Sequence, residues 1–200
     1  MVSSGPVLVV LSGPSGVGKD SVLARMRAKG FPFHYTVTAT SRPAREGEVE
    51  GKDYYFVTRE WFHEAVHASR LLEHACVYGH LYGVPKAPIL AALAHGQDVI
   101  MRTNVDGART IRALAPGAVL IFLLPPSLER LAERLRGRRT DSLEVIERRL
   151  ATVREEMQSL PSFDYAVPNE EGELDRCVAS IASIIEAEKL RVHRPPLGLA

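Results

Sequence analysis

The apolar run Val7-Leu-Val-Val-Leu11 leads straight into Ser12-Gly-Pro-Ser-Gly-Val-Gly-Lys19, and this junction constrains the fold more than any other stretch of the chain. An uninterrupted apolar run of that length suits a strand buried on both faces. After the glycines, Val22, Leu23 and Met26 share one helical face, and Gly30 supplies a stop. A glycine-rich turn between a buried strand and a helix lets backbone N–H groups converge on phosphate oxygens. The helix N-terminus adds partial positive charge there, and Lys19 a mobile full charge. Gly13, Pro14, Ser15, Gly16, Val17, Gly18 and Lys19, with Asp20 and Ser21 at the exit, are therefore read as a nucleotide-phosphate site. An ordinary glycine-rich turn is the competing reading, and the lysine between the right flanks argues against it. One residue departs from the usual pattern. A hydroxyl residue normally follows the lysine and binds Mg²⁺, but here the position holds Asp20. A carboxylate suits Mg²⁺ yet brings negative charge to a polyphosphate, so Asp20 is read as a substitute ligand, direct or through water.

Downstream, strand-like segments at Phe33 to Val37, Leu71 to Val77, Val99 to Thr103, Val119 to Leu124 and Tyr165 to Val167 alternate with helical patterns. The helical patterns run from Arg59 to Ala68, Pro85 to His95, Ala108 to Leu114, Leu128 to Arg136, Leu143 to Leu160 and Leu174 to Leu190. Ser127 and Asp141 stand where N-caps belong, and Asp141 with Glu144 has capping-box spacing. The alternation predicts an α/β fold with a mainly parallel sheet and helices on both faces. Two stretches break the rhythm: residues 38–84 are polar, aromatic and loop-rich, and residues 134–149 are dense in arginine. Both read as excursions from one core, which suits a chain of 200 residues. The expected division is a single domain over 5–190, with core segments 5–36, 86–133 and 150–190. The tail, 191–200, is expected to fray.

The formal net charge of +1 offers no global attraction to nucleic acid or anionic membrane, and neither is expected as a partner. The apolar runs Val7–Leu11 and Ala118–Leu124 are too short for a signal peptide or a membrane span. Cys76 and Cys177 form no ligand pair or disulfide framework. The expectation is a soluble, cytoplasmic protein.

The stretch Thr38-Ala-Thr-Ser-Arg42-Pro-Ala-Arg45-Glu-Gly-Glu-Val-Glu-Gly-Lys-Asp-Tyr54-Tyr-Phe56, with Leu72-Glu73-His74 and Tyr82-Gly83, resembles the nucleoside-monophosphate-binding region of guanylate kinases. The resemblance extends from Val7 to about Ile185. It implies the phosphate-loop nucleoside-monophosphate-kinase fold, with a GMP-binding insertion at 37–85 and an ATP lid at 134–149. It implies transfer of the ATP γ-phosphoryl group to GMP (dGMP as well), with Mg²⁺, by a monomer or a homodimer. Two arginines three apart suit a phosphate dianion, and by the resemblance Arg42, Arg45, Tyr54 and Tyr82 hold the GMP phosphate. Glu73 would accept from guanine N1–H and the exocyclic amine, with Thr38 on the base edge. Adenine would leave that carboxylate unpaired. Arg138 and Arg149 match lid arginines that close over the ATP phosphates, with Arg134 a weaker match, and Asn169 matches a position near the adenine. Lys19, Arg42, Arg138 and Arg149 are thus the expected catalytic residues.

Three positions depart from the family pattern. Asn104 stands where an Asp contacts the guanine amine, and its carbonyl can still accept that bond. Arg102 replaces an acidic residue, which with Asp20 suggests an exchange of charge. Val84 replaces a frequent hydroxyl residue. His63-Glu-Ala-Val-His67 matches the zinc-protease helix motif H-E-x-x-H, but no downstream third ligand of that family follows it, so two surface histidines are the plainer reading. Two rival functions remain at this point: a related fold that only binds phosphopeptides, and a kinase of another phosphate ester such as a ribose bisphosphate.

Overall fold

A computed structural model describes residues 5–77, 79–127, 129–131 and 143–199, with the backbone alone for 143–150. Five strands form a wholly parallel sheet: β1 (Leu8–Ser12), β2 (His34–Tyr35), β7 (Val99–Arg102), β8 (Val119–Leu124) and β9 (Tyr165–Pro168). They lie in the order β2-β7-β1-β8-β9, so β1 is central. Alternate side chains of a strand point to opposite faces, and β1 divides its run accordingly. Val9 and Leu11 pack with Val22 and Met26 of α1 (Lys19–Ala28) and Ile181 and Ile185 of α6 (Leu174–Lys189). Leu8 and Val10 pack on the other face with Ile89 of α3 (Lys86–Ala94) and Ile111 of α4 (Val105–Leu114). Helices therefore cover both faces, and β1 is buried throughout.

The region between β2 and α3 builds a second sheet in the order β4-β3-β6-β5. Its strands are β3 (Thr38–Thr40), β4 (Tyr54–Phe56), β5 (Leu71–Val77) and β6 (His80–Pro85), with α2 (Arg59–His67) between β4 and β5. β3 runs parallel to β4 and antiparallel to β6, and β5 pairs antiparallel with β6. Of these strands the sequence pattern announces only β5. β3 and β4 are short and half-polar: β3 forms on the edge that the β5–β6 hairpin offers, and β4 forms on β3.

Ser127 caps the following helix as expected, its Oγ accepting from Arg130 N–H at 3.1 Å. The cap expected at Asp141 lies outside the described residues. Helix α5 (Leu143–Gln158) buries Val153 against Leu131. In the tail, Arg194 donates to Gly5 O and Pro6 O, and Leu197 and Leu199 pack against the core. Gly117 permits this, since a Cβ there would stand 2.4 Å from Pro195 O. Among the described residues, no helix is long and apolar enough to cross a membrane.

Candidate active site

Ligands of parallel α/β sheets bind at the carboxyl ends of the strands, and the residues singled out from sequence gather there. Leu11 stands opposite Arg102 in the β1–β7 ladder, so the glycine loop and the segment after β7 leave the sheet side by side. Ser12 Oγ donates to Thr103 O at 3.1 Å, and Thr103 N–H donates to Leu11 O at 3.2 Å. Gly13 adopts φ +136°, and a Cβ there would lie 2.6 Å from Leu123 O, so glycine is required. Lys19 Nζ donates to Gly13 O at 2.6 Å and to Pro14 O at 3.2 Å, curling across its own loop. Ser15 N–H donates to Glu156 Oε2 at 3.1 Å, so a carboxylate from α5 lies on a donor of the loop. Burial raises the pKa of Glu156.

The second sheet contributes the facing wall. Tyr54 stands opposite Thr38, and Tyr82 opposite Thr40 and Ala75. The two tyrosine rings meet edge to face at 6.2 Å. Arg42 and Arg102 each lie against the Tyr54 ring, at 5.2 Å and 4.7 Å from its centre. Arg42 is 8% exposed, and its Nη2 donates to both oxygens of Glu48 at 2.8 and 3.0 Å. Its Nε is buried without a hydrogen-bond partner among the described residues. Arg45 N–H donates to Glu48 Oε2 at 2.7 Å, so one carboxylate organises both arginines.

A buried carboxylate, Glu73, stands on β5 at 6% exposure. It accepts from Thr103 Oγ1 at 2.9 Å, while burial pushes its pKa up to about 6. Asn104 caps α4, its Oδ1 accepting from Gly107 N–H at 2.8 Å. This cap starts α4 at Val105, three residues before the apolar pattern suggests. A Cβ at Gly107 would lie 2.0 Å from Thr103 Oγ1, 2.9 Å from Glu73 Oε2 and 3.0 Å from Asn104 Oδ1. Three polar side chains thus converge on the one residue that leaves them room.

Loop and sheet border a single cavity of about 290 Å³. Ser15, Gly16, Gly18, Lys19, Asp20 and Ser21 line it from the loop, and Thr38, Arg45, Tyr54, Glu73 and Tyr82 from the second sheet. Ala75 and Val77 of β5 line it as well, and Arg102, Thr103 and Asn104 complete the lining. The sequence model of the guanylate kinase family matches residues 6–188.

The chain belongs to the guanylate kinase family.

It is 46% identical to guanylate kinase 2, chloroplastic/mitochondrial, of Oryza sativa subsp. japonica, over 97% of this chain and 68% of the relative. It is 48% identical to the guanylate kinase of Lactobacillus delbrueckii subsp. bulgaricus, over 94% of this chain and 92% of the relative. Among solved structures, the guanylate kinase from Anaplasma phagocytophilum superimposes with a TM-score of 0.79 at 31% identity, covering 97% of this chain and 92% of that one.

Most residues that carry the guanylate kinase resemblance therefore lie together, but not all. Asn169 lies behind the loop, 6% exposed, its Nδ2 donating to Val17 O at 2.7 Å. It supports the loop, and a Cβ at Gly18 would lie 2.7 Å from that same nitrogen. Val84 is fully buried in the core with Leu72 and Ile89. Arg134 and Arg138 fall outside the described residues, and Arg149 lies on α5 with only its backbone described. His63, Glu64 and His67 are exposed on α2, and among the described residues no group of three or more His, Cys, Asp or Glu side chains could hold a metal ion. Asp20 pairs with Arg102 Nη1 and remains 70% exposed. Mg²⁺ takes few protein oxygens and completes its shell with phosphates and water; the outward Asp20 carboxylate and the neighbouring Ser21 hydroxyl suit that role. Sequence reasoning assigned no role to Glu48, Thr103, Gly107 or Glu156. Only Glu48 and Gly107 stood within recognisable patterns, and Glu156 looks like one more acid on a charged helix.

Proposed function

We propose that this chain transfers the γ-phosphoryl group of ATP to GMP, giving ADP and GDP, the reaction of its family. The carrying observation is that one cavity is bordered by both the phosphate loop and the buried carboxylate of Glu73. We assign the ATP phosphates to the loop and Lys19, and the GMP phosphate to Arg42, Arg45, Tyr54 and Tyr82. The orphaned Nε of Arg42 and the cavity position of Arg45 support that assignment. Glu73 takes guanine N1–H and the exocyclic amine, with Thr38 and the Asn104 carbonyl alongside.

A GMP phosphate oxygen is already a nucleophile, so no side chain needs to act as a strong base. One bond forms from that oxygen to the γ-phosphorus as the bond to the bridging oxygen of ADP breaks. Positioning and positive charge carry the acceleration. Mg²⁺, when bound through Asp20 and Ser21, neutralises phosphate charge. Arg138 and Arg149 are assigned to the closing lid, and Asn169 to support of the loop. Because no assigned contact reaches the ribose 2′ position, dGMP is expected to serve as a second acceptor.

Calorimetry tests the base assignment. GMP binds tightest, IMP, which lacks the amine, more weakly, and AMP weakest, because adenine strands the buried carboxylate. Equal affinity for GMP and AMP would contradict it.

A further inference from the structure

Asp20 and Arg102 are the two charged departures from the family pattern, 82 residues apart in sequence, and the fold joins them in an ion pair. Their settings differ. The Asp20 side chain is 70% exposed on the first turn of α1, directly after the phosphate-binding lysine. The Arg102 side chain is 16% exposed at the carboxyl end of β7. Arg102 reaches further, with Nη2 donating to Asp53 O at 3.3 Å and its guanidinium carbon 4.7 Å from the Tyr54 ring centre. Both residues line the cavity with Lys19.

A carboxylate beside a polyphosphate repels it, and the repulsion strengthens as water leaves the cavity. A guanidinium as buried as Arg102 needs an anionic or carbonyl partner. Each residue is unfavourable alone at its position, and each relieves the other. Burial draws the pKa of Arg102 down to about 10, which still leaves a full cation near neutral pH.

We propose that Arg102 is a positioning residue of the nucleotide site, which neutralises Asp20 and ties the first turn of α1 to the GMP-binding sheet through Asp53 and Tyr54. The inference rests on the phosphate-loop assignment above. Its signature is dependence: Arg102 matters to nucleotide binding because Asp20 is present. A residue needed only for packing, or one that contacts phosphate directly, would matter whatever occupied position 20.

The test is ADP affinity by calorimetry with a chelator present, so that no metal contributes. R102M should weaken ADP about tenfold or more by leaving Asp20 uncompensated, and D20S/R102M should return to within about threefold of wild type. A double variant as weak as R102M would overturn the proposal. D20N, at an exposed position where folding is not at stake, gives a second reading. It should bind ADP at least as tightly as wild type, and a loss of about tenfold would overturn the proposal independently. A wild-type protein that binds no ADP would overturn the phosphate-loop reading itself. ADP binding without rescue overturns the pair alone.

Discussion

At Glu73, burial raises the pKa to about 6 from an ordinary value of 4.5. The folded chain therefore holds this proton more tightly than the unfolded one. Between those two values stability rises as pH falls, and above about 6 the buried carboxylate costs about 2 kcal/mol. E73Q should accordingly raise the unfolding temperature more near pH 7.5 than near pH 5, by about 4–8 °C or less at the higher pH. Equal shifts at both would contradict the account. The same group needs its charge to read guanine, so kcat/KM for GMP should fall below about pH 6, and E73Q should remove that limb while lowering the plateau about a hundredfold. Gly107 tests the base pocket sterically. G107A should raise the KM for GMP about tenfold or more and leave ADP affinity unchanged, because its Cβ would enter the space shared by Thr103, Glu73 and Asn104. Residues of this kind differ in legibility. Lys19, Tyr54 and Glu73 were legible because each sits in a short local pattern. The Asp20–Arg102 contact and the Glu156 carboxylate on Ser15 N–H were not, since both arise from strand order and helix placement rather than local spacing.

At the scale of elements, the central strands β1, β7 and β8 could be read from sequence because their residues are apolar on both faces. The second sheet, β5 apart, could not: β3 and β4 are three residues each, β6 mixes polar and apolar residues, and all three put side chains on the cavity. Their polar residues look like loop in one dimension and line the cavity in three. The packing behind them is tight. A Cβ at Gly83 would lie 2.7 Å from Leu71 Cδ1 and 2.9 Å from the Phe62 ring. G83A should destabilise by about 1–3 kcal/mol. The loss should appear in hydrogen exchange as faster amides in β5 and β6, with β1 unaffected, since the two sheets are separate hydrogen-bonded units. Equal acceleration in β1 would show that they open together.

For the whole molecule, the fold sets two sheets on either side of one cavity, the glycine-rich loop on one and Thr38, Tyr54, Glu73 and Tyr82 on the other. Transfer in line requires the two phosphates to meet with water excluded. Small-angle scattering should show a smaller radius of gyration with ADP and GMP together than with either alone, and no change would argue for a preformed site. The central claim is that the loop and Glu73 serve one reaction. ADP release from ATP with Mg²⁺, compared across GMP, dGMP, AMP, UMP and no acceptor, tests it most directly. The account predicts turnover with GMP and dGMP far above AMP and UMP, and almost none without an acceptor. Folded protein that binds ADP yet turns over no acceptor, or one that uses AMP as well as GMP, would contradict it.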